Sequence, residues 1–78
     1  MKYRIEMQSL AGRYVVALKD PETGDLLKTL VVNASAADIL RLYRDGLDVS
    51  AIANTLSQRY GIPPERIHAD AEAFLGQL

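Results

Sequence analysis

The sequence predicts an α+β fold: a three-stranded antiparallel β-sheet followed by a three-helix bundle, in the order βββααα. Apolar residues repeat at every second position in the stretches up to Val32, and from Asn33 onward at every third or fourth. These are the periods of a half-buried strand and of an amphipathic helix. Every connection is also short, which keeps successive strands adjacent and segregates the helices to the second half. The parts suit a winged-helix-like arrangement, within one domain spanning residues 1–78.

The first strand is expected over about residues 2–7, where Tyr3, Ile5 and Met7 alternate with Lys2, Arg4 and Glu6. Ser9-Leu10-Ala11-Gly12 supplies turn chemistry, and residues 13–19 form a second strand around the β-favouring run Tyr14-Val15-Val16. Asp20-Pro21-Glu22-Thr23-Gly24-Asp25 reads as a tight turn, because proline presets the backbone angle and glycine can take the left-handed conformation. The third strand, residues 26–32, places Leu26, Lys28, Leu30 and Val32 on one face and Leu27, Thr29 and Val31 on the other. In a meander the first and third strands lie at the edges of the sheet.

The first helix, about residues 35–44, has the stripe Ala36, Ile39, Leu40 and Tyr43. Asn33 or Ser35 can cap it, and Ser35-x-x-Asp38 is a loose capping box. Asp45-Gly46 ends it. Asp48 is the expected N-cap of a second helix over 49–60, with the stripe Val49, Ile52, Ala53, Leu56 and Tyr60 and a stop at Gly61. Pro63-Pro64-Glu65 opens the third, 64–77, whose apolar stripe is Ile67, Ala71, Phe74, Leu75 and Leu78.

Several function classes have little support. There is no cysteine and only one histidine, His68, so neither a thiolate nor a multi-histidine metal site can be assembled, and no serine sits in a strand-turn-helix elbow with glycines around it. Asp20, Glu22 and Asp25 lack the loop length and terminal glutamate of a calcium hand, and the glycines are isolated, so no phosphate-cradling loop is present. A net charge of -1 gives no field toward nucleic acid or an anionic membrane. The chain shows no signal-peptide core and no run near the roughly 18 apolar residues of a membrane span, so the cytoplasm is the expected compartment. A helix-turn-helix beside a small sheet does raise a winged-helix DNA-binding regulator as the alternative. Against it, the third helix carries Arg66 opposed by Glu65, Asp70 and Glu72.

From Val32 onward the ordered series Val32-Asn33, Ile39-Leu40, Asp45-Gly46, Ile52, Leu56, Tyr60, Pro64-Glu65, Asp70 and Phe74-Leu75 resembles the PqqD-like family. The hairpin Asp20-Pro21-Glu22-Thr23-Gly24 is similar to the turn that commonly precedes the family's asparagine. Two departures stand out: Val32 replaces the usual leucine, and Pro63 sits where a capping aspartate often precedes proline, a loss of about 1 kcal/mol of capping.

The resemblance implies a recognition element for ribosomally synthesised peptide natural products. Such an element is a non-catalytic adaptor without a cofactor, holding the leader segment of a precursor peptide while a modifying enzyme, often a radical-SAM protein, acts on the remainder. It further implies that the leader joins the sheet beside the third strand and rests against the third helix. The candidate contact residues are then Leu26, Leu27, Lys28, Thr29, Leu30 and Val31 on the strand, and Ile67, Asp70, Ala71 and Phe74 along one side of the helix. An exposed edge strand is independently a template for strand addition. It also permits pairing between two copies, so a homodimer is compatible with the same edge.

Overall fold

The computed structural model describes residues 3–78. It contains β1 (Arg4–Leu10), β2 (Arg13–Lys19), β3 (Leu26–Val32), α1 (Ala34–Arg44), α2 (Val49–Tyr60) and α3 (Pro64–Gly76). The sheet is antiparallel in the order β1-β2-β3. This is the expected α+β layout, three strands then three helices. Two compact units divide the chain, Met1–Asp38 and Ile39–Leu78.

In the first unit β1 runs further than its period suggests, because Ser9 and Leu10 pair with Tyr14 and Arg13 and leave only Ala11 and Gly12 as the turn. Both turn residues have positive φ, 52° and 78°, the primed geometry whose twist matches that of the flanking strands. The expected four-residue turn is therefore a two-residue one. Lys2, assigned to the first strand from its alternation, lies outside the described residues.

The second turn is built around the side chain of Asp20, whose Oδ1 accepts the N–H groups of Glu22 at 2.8 Å and Thr23 at 3.2 Å. Backbone bonds from Asp20 N to Asp25 O and from Gly24 N to Asp20 O, both 2.8 Å, close it. Gly24, at φ 77°, supplies the left-handed residue expected there.

Beyond this turn the pairing of β3 with β2 is regular from Val32 to Lys28, which faces Leu18. It then steps from Lys28 to Leu26 while β2 advances one residue, which leaves Leu27 as the extra residue of a bulge. The simple alternation expected for residues 26–32 thus holds for 28–32 and breaks at the strand entrance. Cross-strand partners share a face, so Ile5, Leu18 and Lys28 lie on one side of the sheet with Met7, Val16 and Leu30. Ile5, Val16 and Leu18 are buried.

The second unit is organised by a cluster of Ile39, Ile52, Ala53, Leu56, Ile67 and Ala71, with Leu42, Leu47, Phe74 and Leu75 among those packed around it. The expected stripes supply most of it; Ala36 of the first stripe is only half-buried while its neighbour Ala37 is buried, and Tyr60, in the last turn of α2 beyond Leu56, is 46% exposed.

The helix ends are set by local hydrogen bonds. Asn33 Oδ1 accepts the Ala36 N–H and the Ser35 hydroxyl, both at 3.0 Å, which identifies Asn33 and not Ser35 as the cap of α1. At the other end Leu47 N bonds Leu42 O and Gly46 N bonds Tyr43 O, the paired bonds of a Schellman motif with Gly46 at φ 98°. Asp48 caps α2 through its Oδ1 and the Ala51 N–H at 2.8 Å, and Gly61 at φ 69° terminates it. At the start of α3, Pro63 is the cap residue and makes no side-chain capping bond.

Candidate functional site

An edge strand offers one row of backbone N–H and C=O groups to solvent or to another chain. Among the described residues no fourth strand pairs with β3. Its side chains are unusually open for so apolar a segment: Leu26, Leu27 and Val31 are 59%, 54% and 61% exposed. Lys28 and Thr29 are exposed as well, while Leu30 and Val32 are half-buried. Only Leu30 and Val32 are accounted for by burial, so the exposed apolar side chains are available to a partner.

The two sides of this strand differ in chemistry. Val31 faces Val15 across the ladder and Thr29 faces Ala17, which gives an aliphatic patch on one side. On that side, toward β1, Glu6 is held by Lys19 Nζ at 3.1 Å and Arg4 Nε at 3.8 Å, one carboxylate between two cations. The other side presents Lys28 beside Leu18, and the Lys28 ammonium makes no hydrogen bond or ion pair among the described residues. Val15 and Leu10, the latter 62% exposed, belong to the patch but escape notice in the sequence. Leu10 reads there as part of a turn, and Val15 as one residue of a β-branched run.

The helical candidates separate by burial. Ile67 at 7% and Ala71 at 0% exposure are members of the cluster that holds the second unit together. Phe74 packs against that cluster but keeps part of its ring accessible, and Asp70 is exposed. The α3 surface around them carries Glu65, Arg66 and Glu72, all exposed. His68 lies 3.6 Å through Nδ1 from Glu72 Oε2 one turn on, a pair of neighbours on the helix surface. Between α2 and α3 an open groove of about 720 Å³ has Ala53, Pro64 and Ala69 in its lining, with Ser50 and Asn54 of α2 and Glu65, His68 and Glu72 of α3 at its polar positions. Such a surface repels phosphates.

The residues thus define an α+β chain with an open, apolar sheet margin. The chain belongs to the family described as Coenzyme PQQ synthesis protein D (PqqD), whose model matches residues 15–78. No curated protein matches the chain. Among solved structures it is similar in fold to TbiB1 in complex with the TbiA(beta) leader peptide. That match has a TM-score of 0.71 at 19% sequence identity and covers 100% of this chain and 87% of the other.

Proposed function

We propose that the chain is a non-catalytic peptide-binding adaptor, which takes the leader segment of a ribosomally synthesised precursor as an added strand on β3 and presents it to a separate modifying enzyme. The observation that carries this reading is the open edge of β3, whose exposed side chains Leu26, Leu27 and Val31 flank an unpaired row of backbone groups. Main-chain bonds to such an edge supply register and much of the affinity, and side-chain contacts on the two faces supply choice. Membership of the PqqD family supports it, as does the fold shared with a protein solved in complex with a leader peptide.

In this reading Leu26 to Val31 provide the strand contacts, and Asp70 and Phe74 provide contacts from α3. Ile67 and Ala71 keep those two in place from within the helical cluster. The modifying enzyme, of the radical-SAM or another class, brings the chemistry and any cofactor. The cytoplasm is the compartment in which a ribosomal precursor and such an enzyme would meet the adaptor.

The test is a heteronuclear NMR titration of the chain with precursor peptides encoded beside its gene. Shifts concentrated in residues 26–32 and 67–74 are the expected result. Uniformly silent spectra with every leader from that neighbourhood would end the proposal.

A further inference from the structure

We infer that the strand received by β3 carries a carboxylate opposite Lys28, separated by one residue from a run of three apolar residues. This rests on the strand-addition reading and specifies the class of peptide that the edge selects. Lys28 is the only charged residue of β3, and it lies on the sheet face otherwise occupied by Leu18, Leu30 and Val16. Its neighbour on β2 is Leu18, which is buried and offers no charge. Elsewhere on the sheet Arg4 and Lys19 share the one carboxylate of Glu6, and the exposed Arg13, opposite Leu10, lies on the other face. The lateral position still open to a counter-charge for Lys28 is therefore a strand on the outer side of β3.

The remaining contacts follow from the ladder. A guest residue opposite Leu30 or Val32 meets half-buried aliphatic side chains on the Lys28 side. The residue opposite Val31 meets the Val15–Val31 patch on the other side. Thr29 faces Ala17 and imposes neither charge nor bulk on the guest position opposite it. The bulge at Leu27 interrupts regular pairing, so the selective stretch is Lys28 to Val32. In either strand direction the guest reads as three apolar residues, one unconstrained residue and an acid. Directly opposed cross-strand charges attract when opposite and repel when alike.

The experiment titrates the isotopically labelled chain, observed at the amides of Lys28 to Val32, with synthetic peptides of the form Val-Val-Leu-Thr-Xaa flanked by glycine and serine. Xaa is glutamate, glutamine or lysine, and a second set with the segment reversed covers the opposite direction. The glutamate peptide is expected to bind tightest and the lysine peptide weakest, with about two- to five-fold between steps, and Lys28→Glu is expected to reverse the order. A lysine that merely discourages pairing between copies gives an order that Lys28→Glu leaves unchanged, which overturns the inference. Equal affinities for all three peptides overturn it too while leaving strand addition intact. Silence at β3 with every peptide defeats strand addition and this rule together.

Discussion

Ala11 occupies a left-handed conformation, φ 52°, at the first position of the β1–β2 turn, where a Cβ is disfavoured. Asparagine tolerates that geometry far better and, followed by glycine, forms the preferred two-residue turn. Ala11→Asn is therefore expected to stabilise the chain by about 1 kcal/mol, read as a higher midpoint in urea. The caps give a matched pair of cases. Asp48 Oδ1 satisfies the Ala51 N–H, and Asp48→Ala should cost about 1 kcal/mol. Pro63 satisfies nothing with its side chain, so Pro63→Asp adds a cap of about 1 kcal/mol. It also gives up about 0.4–1 kcal/mol of proline's restriction of the unfolded chain. The net gain should be well under the Asp48 loss, and thermal unfolding of both variants measures the difference. Residues of this kind are legible in sequence because a cap acts within four residues of itself. What was not legible is that Ser35 donates to Asn33 instead of capping α1, since two polar residues two positions apart compete for one helix start and geometry alone decides.

At the scale of elements, β3 combines two demands that usually exclude one another. Its Leu30 and Val32 are half-buried, and its other apolar residues stay exposed beside an unpaired edge. Long apolar edges invite aggregation, and natural sheets blunt them with charge, twist or a bulge; here Lys28 and the bulge at Leu27 do so while Val31 remains open. Val31→Lys should then leave folding stability within about 0.5 kcal/mol, because a 61% exposed side chain contributes little to the native core. It should weaken peptide binding several-fold by charging the Val15–Val31 patch. Calorimetric titration beside a urea melt separates the two effects. The order of elements and most of their limits could be read from hydrophobic period and caps. The bulge could not, because it is a property of the pairing and nothing in Leu26-Leu27-Lys28 marks an extra residue. Helix α3 shows the same limit differently: Ile67, Asp70, Ala71 and Phe74 share one side by period, yet two are core, one is half-covered and one is exposed. A wheel reports direction, and burial depends on what lies in that direction.

For the whole molecule, the distribution of charge bears more on function than its sum. The net charge is -1, which by itself excludes neither an anionic nor a cationic partner. Locally, the exposed carboxylates Glu65, Asp70 and Glu72 outnumber Arg66 on α3, the helix that a winged-helix regulator would have to bring against DNA. Each phosphate neutralised by a protein cation steepens the loss of affinity with salt, so a DNA-binding surface announces itself by that slope. A surface with a carboxylate majority has no counterions to release. Random duplex DNA should accordingly show no salt-dependent binding even at low ionic strength, measured by fluorescence anisotropy of a labelled duplex. Strand addition at β3 depends mainly on backbone bonds and apolar contact, with Lys28 as its single charge, so leader binding should persist as salt rises and decline only by the small share that one exposed ion pair contributes. A steep salt slope for a leader peptide would instead place the contact on a multiply charged surface, which β3 is not.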